Sequence, residues 1–232
     1  REMIIGDELT PISKMSGAFM APESNIHLQF AYYQSSLVVE HIVGRFGLES
    51  IRKILSDLSQ GVKINVAIEK HTEPMKKLEI EFLKFATAKA ESLAPELEWD
   101  KPDPRELRAN IEELSKKHPK NFYILSQQAR QAINTHDWEA VKTHCRELIE
   151  LFPRQNTSAN NSYMMLARAH RELKEFPEER KTLETLANMR DDSYEVFLRL
   201  IELTSKVKDW DNVRLNCERV LAVNPLLPQP HR

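Results

Sequence analysis

Asp137-Trp-Glu-Ala-Val-Lys-Thr-His-Cys-Arg-Glu-Leu-Ile-Glu-Leu-Phe-Pro153 is the stretch on which the fold turns. Roughly 72 residues downstream, about twice a 34-residue period, it recurs as Asp209-Trp-Asp-Asn-Val-Arg-Leu-Asn-Cys-Glu-Arg-Val-Leu-Ala-Val-Asn-Pro225. A degenerate copy, Glu175-Phe-Pro-Glu-Glu-Arg-Lys-Thr-Leu-Glu-Thr-Leu-Ala187, lies between the two. Self-similarity at a fixed spacing of this size marks stacked structural repeats. Each copy opens on a bulky aromatic, Trp138, Phe176 or Trp210, and carries apolar residues at helical spacing. These are Cys145, Leu183 and Cys217, then Leu148, Leu186 and Val220, and a proline closes the outer copies at Pro153 and Pro225.

These residues resemble the second helix of a tetratricopeptide (TPR) repeat. Val141 and Val213 stand where that pattern takes a small or apolar residue, and Ala129 and Ala167 where two helices touch closely. Glu179 and the large Ile201 depart from it at the matching places of the second and third copies. The resemblance implies an all-α fold: helical hairpin repeats stacked as a TPR superhelix over residues 104–232. Repeats are expected at about 122–155, 160–191 and 194–227. A capping helix from Pro104 to Lys117, ended by His118-Pro119, precedes them, and after Pro225 the chain stops where another repeat would begin. One hairpin cannot bury its apolar face alone, whereas stacked hairpins share a continuous core and expose a concave surface made by the first helices. That surface would present Tyr123, Ser126, Arg130, Ile133 and Asn134 from the first copy. The second copy would add Asn161, Met164, Arg168, Arg171 and Glu172, and the third Glu195, Leu198, Glu202, Ser205 and Lys206. A protein or peptide ligand is the partner so implied, with Arg130, Arg168 and Arg171 as a cationic stretch. The competing reading is a plain solvated helix face. The Lys/Asn pattern with which some TPR domains clamp a C-terminal carboxylate is absent.

Upstream, Leu93-Ala-Pro-Glu-Leu-Glu-Trp-Asp-Lys-Pro-Asp-Pro104 holds three prolines. Proline removes a backbone donor and disfavours helix in the residue before it, so 93–103 is expected to be an extended linker. Before it, 1–92 is expected to form a separate small bundle of four helices. The first runs from Gln29 to Phe46 with a stop at Gly47, and the second follows Ile51, Ile54, Leu55 and Leu58 to Gly61. A third spans Val62 to Lys70, and a fourth opens at Pro74 with Leu78, Phe82, Leu83, Phe85 and Ala86 inward. The opening residues through Pro22 read as loop with one short turn.

The run Phe30-Ala-Tyr-Tyr-Gln-Ser-Ser through Phe46-Gly47 resembles the segment that follows the active site in gluzincin (peptidase MA-like) metallopeptidases. Tyr32, Gln34 and Ser35 match the helix opening there and Phe46-Gly47 the turn, over about residues 6–90. The resemblance implies that Tyr32 could hydrogen-bond a tetrahedral oxyanion in an intact enzyme; the alternative is an amphipathic aromatic with a wet hydroxyl. That chemistry needs zinc on His-Glu-x-x-His, with two histidines four apart on one helical turn. His27, His41 and His71 do not supply the pair. No metal ligand, cofactor or catalytic residue is therefore assigned to this chain, and zinc is implied only for a longer parent. The chain is expected to bind no stoichiometric zinc. His41 reads as a core or boundary histidine, and His136, His144 and His170 as repeat-helix residues sharing no face with an acid.

Composition supports this reading by exclusion. Five glycines, 41% hydrophobic and 29% charged residues describe an ordinary helical globular chain. A net charge of -2 removes the electrostatic footprint of a nucleic-acid binder. No apolar run reaches the roughly 18 residues of a membrane span. Cys145 and Cys217 fall at equivalent, predicted buried positions and read as free core thiols. There is no phosphate loop, nucleophile elbow or Cys-x-x-Cys. Asn156-Thr-Ser and Asn160-Asn-Ser are formal glycosylation sequons. A start at Arg1 without a signal-like segment reads as a piece of a larger, bacterial protein, soluble here, with cytoplasm and periplasm both open. The expected function is an interaction scaffold; the alternatives are the non-catalytic tail of a zinc-peptidase-like enzyme, or degenerate TPR-like hairpins in the first half.

Overall fold

The computed structural model describes residues 1–155 and 161–225, so both sequons and the tail after Pro225 fall wholly or partly outside the described residues. The chain is all-helical and divides into two compact units, Arg1–Pro95 and Glu96–Arg232.

The first unit contains α1 (Glu2–Ile5), a 3-10 turn (Ile12–Lys14), α2 (Met15–Met20), α3 (Asn25–Phe46), α4 (Leu48–Ser59), α5 (Ile64–His71) and α6 (Met75–Glu91). Ser24 caps α3 by accepting the His27 N–H, and the helix stops at Gly47, whose φ of 78° suits a residue without a side chain. At the end of α4, Gly61 (φ 84°) lets Val62 N–H reach the Asp57 carbonyl at 3.1 Å. Leu37, Ile42, Ala67, Leu78, Phe82 and Ala86 form the core. His41 is buried among Phe82 and Phe85, with Arg45 Nη1 3.5 Å from its ring; burial first, then Arg45, lowers its pKa.

The opening segment differs from the loop expected. It holds two short helices and a 3-10 turn, and Ile4 and Ile12 enter the core. Pieces of three to six residues show no helical period in sequence; what fixes them is polar. Fully buried Gln34 pairs with Thr10 through both its side-chain groups. Ser13 donates its N–H and its hydroxyl to Glu79 at 3.0 and 2.7 Å, and Asn65 holds the Ser13 carbonyl at 3.0 Å.

In the second unit the expected linker is partly structured. Glu98 exchanges backbone hydrogen bonds with Lys120 and Phe122, Leu97 is buried, and Trp99 stacks on Phe122 at 4.9 Å. Proline does keep the stretch non-helical, yet Leu97 is buried and Trp99 packs on the aromatics beside it, while Leu93 stays exposed. The expected capping helix is two helices, α7 (Pro104–Ala109) and α8 (Ile111–Lys117), broken at Asn110.

Three hairpins follow: α9 (Phe122–Asn134) with α10 (Trp138–Leu151), α11 (Ser162–Glu172) with α12 (Phe176–Ala187), and α13 (Tyr194–Lys206) with α14 (Trp210–Val223). All three turn in one way. His136, Lys174 and Lys208 take left-handed φ of 59°, 61° and 59°. The next residue's N–H then closes on a carbonyl of the preceding helix: Asp137 to Ala132, Glu175 to His170 and Asp209 to Thr204, at 2.9, 2.8 and 3.0 Å. Asp137 and Asp209 also cap the helices they precede. Ala129 and Ala169 pack on Val141 and Cys145, while Leu183, Phe197, Leu200 and Val220 form the core of the later hairpins. Ile201, too large for the close-contact position, is half-buried at the edge of that core and Leu200 fills the interior.

Candidate functional site

The side chains that the repeat pattern assigns to a ligand face lie on α9, α11 and α13. Arg130 and Asn134 on α9, Arg168 and Arg171 on α11, and Glu195 and Glu202 on α13 are exposed; Tyr123, Met164 and Leu198 are half-buried. Ser126 and Asn161 are exceptions. Ser126 is buried at 5% exposure within α9 and does not reach the face. Asn161 is 1% exposed and caps α11, its side-chain oxygen accepting the Met164 N–H at 3.0 Å, so it is a framework residue and not a ligand contact. Its asparagine character, and that of Asn121 before α9, was a readable capping signal.

Between α11 and α13, Met164, Leu183, Glu195, Leu198, Arg199 and Glu202 line an open cavity of about 310 Å³. Beneath it lies a group that sequence reasoning passed over. Glu179 is wholly buried and accepts hydrogen bonds from Arg171 Nε at 2.7 Å and from Arg199 Nε and Nη2 at 2.8 Å each. It stands where the repeat pattern takes a small residue; the departure is an Arg–Glu–Arg triad tying α11, α12 and α13 together. Burial would raise its carboxyl, but the donors from Arg199 and Arg171 outweigh burial and its pKa is lowered. Glu202 accepts from Lys206 at 2.8 Å and from Arg199, and these bonds lower its carboxyl to about 2.

The three arginines picked out as one cationic stretch therefore divide. Arg171 neutralises Glu179, Arg168 lies over the Trp138 ring at 5.4 Å, and Arg130 makes no ion pair among the described residues. His170 corrects a second expectation. The hairpin turn folds Glu175 back so that its carboxylate lies 2.6 Å from His170 Nδ1 and 2.8 Å from Lys142 Nζ, and Lys142 first, then His170, lowers its pKa. His136 lies in a turn and not in a helix.

In the first unit Tyr32 is 64% exposed on α3, its ring edge-on to Phe19 at 5.0 Å, and its hydroxyl makes no hydrogen bond among the described residues. His27 approaches Glu8 at 3.3 Å, and His71 approaches Asp57 at 2.9 Å. Among the described residues no three histidines, cysteines or carboxylates are grouped to hold a metal ion. Cys145 is buried as expected, which pushes its thiol up to about 12, whereas Cys217 is only half-buried. No described helix is long and apolar enough to cross a membrane.

No family model, curated protein or solved structure matches the chain. Its chemistry is read from its own residues.

Acid should reveal these paired carboxylates. Glu202, Glu179 and Glu175 all have folded pKa values below their ordinary ones. A depressed carboxylate stabilises the fold fully above its unfolded pKa, about 4.3 for glutamate. That contribution drains away as pH falls through the folded value, near 2 for Glu202. The helical circular-dichroism signal of the second unit is expected to hold from neutrality to about pH 5 and to fall across the window from about 4.3 to 2. In Glu202→Gln the lowest part of that decline should flatten.

Proposed function

We propose that the chain is a protein–protein interaction scaffold of the tetratricopeptide type, which takes a peptide segment of a partner protein along the face of α9, α11 and α13. The observation that carries this reading is the arrangement around the α11–α13 cavity. Met164 and Leu198 offer an apolar centre and Glu195 lines the same cavity, while Arg130 is exposed on α9 and makes no ion pair among the described residues. The Glu179 triad fixes the floor, so little side-chain order need be created on binding. The segment that fits has an apolar side chain for the centre, a carboxylate toward α9 and α11, and a cation toward α13. Charges at such a rim set orientation and encounter rate more than raw affinity.

The test is selection of a random peptide library on the immobilised chain. Enriched peptides should share an apolar residue with acidic and basic flanks, and Arg130→Glu should weaken them about tenfold or more. Because Arg130 is exposed and makes no ion pair among the described residues, the variant is expected to keep its fold. Equal enrichment on a Leu198→Asp chain would rule the face out.

One element of the first unit supports a second reading for a longer protein. The long helix α3 carries Tyr32, Gln34 and Ser35 and ends at Phe46-Gly47, the match on which the gluzincin resemblance rests. Under that reading this unit is the non-catalytic C-terminal part of a zinc-peptidase-like domain. Metal content and peptide cleavage of a longer gene product, with the present chain as control, test it: zinc in the longer product alone supports it, and zinc in neither refutes it.

A further inference from the structure

Two contacts recur wherever one hairpin meets the next, and among the described residues neither is made at α14. The fifth residue of each hairpin's second helix is basic. Lys142 reaches Glu175, just before α12, at 2.8 Å, and Arg180 reaches Asp209, just before α14, at 2.6 Å. Arg214 holds the same place on α14, its side chain is 78% exposed, and among the described residues it lies no nearer a carboxylate than 4.0 Å, from Glu218 on its own helix. The second contact covers the aromatic that opens each second helix. Arg168 of α11 lies over Trp138, and Lys206 of α13 lies over Phe176 at 5.8 Å. Among the described residues no cation covers Trp210, which is 62% exposed.

The apolar side chains tell the same story. On α10, Val141 and Cys145 are wholly buried under Met165, Leu166 and Ala169 of α11. Their counterparts on α14, Val213 and Cys217, are only half-buried, and Leu215 is exposed.

We propose that the outer face of α14 is the seat of a further helical hairpin with a Lys or Arg late in its first helix and an Asp or Glu immediately before its second. Trp210 would take the cation, Arg214 the carboxylate, and Val213 and Cys217 the apolar side of the first helix. The chemistry is that of the two interfaces already made within the chain: the acid holds one place in both, before the second helix, and the cation sits about one helical turn earlier at Arg168 than at Lys206. This surface is distinct from the α9–α11–α13 face, and neither depends on the other for its test.

The third hairpin itself carries the required cation and acid, Lys206 and Asp209, so residues 193–225 serve as the probe, appended after Arg232 with their own Cys217 changed to serine. The readout is the rate at which the original Cys217 reacts with a small thiol reagent, resolved by mass spectrometry, with buried Cys145 as the unreactive internal standard. Extension is expected to slow Cys217 by about tenfold or more, since reaction then requires the added hairpin to open. Arg214→Glu should restore the rate, and changing the appended Asp209 to lysine in that background should slow it again. An unchanged rate overturns the proposal, whether the appended residues are helical by circular dichroism or unfolded, because the face then offers no seat. Protection that ignores the charge reversals overturns the acidic requirement. If Cys217 of the unextended chain is protected at high concentration and released on dilution, the occupant is a second copy of the chain and the proposal fails.

Discussion

Glu179→Leu should lower the stability of the second unit by about 3 kcal/mol, read from the midpoint and slope of urea unfolding. The carboxylate is wholly buried and three N–H donors converge on it. Removing it leaves Arg199, whose side chain is 14% exposed, as a cation without its main counter-charge. Arg171 is 46% exposed and can swing into water, which holds the expected loss near the lower end of the range for broken buried pairs. The same principle gives the control. Replacing all three members, Glu179→Leu with Arg171→Met and Arg199→Met, removes the desolvation cost along with the attraction and should recover most of the stability. A triple variant as unstable as the single one would show that the charges do more than balance each other. A peptide ligand should still fail on the recovered triple variant if the triad's role is to fix the floor of the cavity.

Phe197→Ala should cost about 3–5 kcal/mol, more than any single groove substitution. Phe197 is wholly buried on α13 among Leu183, Leu186, Leu200 and Val220, so its removal opens a void between two hairpins at once. Arg219 also lies over its ring at 5.6 Å. Native-state hydrogen exchange is the direct check: amides of α12, α13 and α14 should lose protection together. Loss confined to α13 would mean that the hairpins do not share one core. Phe197→Leu, which keeps most of the volume, should cost well under half as much.

How far the sequence was readable depends on the length and regularity of what was being read. The second helices announced themselves, because Trp138, Cys145 and Leu148 recur in kind at Trp210, Cys217 and Val220. The hairpin turns were legible only as gaps. Their shared left-handed residue is His136, Lys174 or Lys208, never glycine, so the usual mark of that conformation is missing. The opening segment was misread because α1, α2 and the 3-10 turn are too short to show a period; tertiary contacts place them, with Ile4 and Ile12 in the core and Thr10 and Ser13 bonded to Gln34 and Glu79. At the candidate site, helical spacing assigned Arg130, Met164, Arg168 and Leu198 to first helices of the hairpins, and they lie on α9, α11 and α13, exposed or half-buried. It could not show that Asn161 is spent on a cap and Arg171 on Glu179, because both partners are fixed by tertiary contact. Glu179 itself looked like a flaw in a repeat, and its meaning came from Arg199, twenty residues on.

The most direct test of the interaction face is photo-crosslinking from within it. Benzoylphenylalanine is placed at position 198, and for comparison at exposed position 211 on α14, in the otherwise intact chain. Each is irradiated in extract from the cells that make the protein. The account predicts a discrete protein adduct from position 198 alone, competed by excess unmodified chain and lost when Arg130→Glu is added. Adducts of equal yield from both positions, or an adduct from 198 indifferent to the charge at 130, would contradict it.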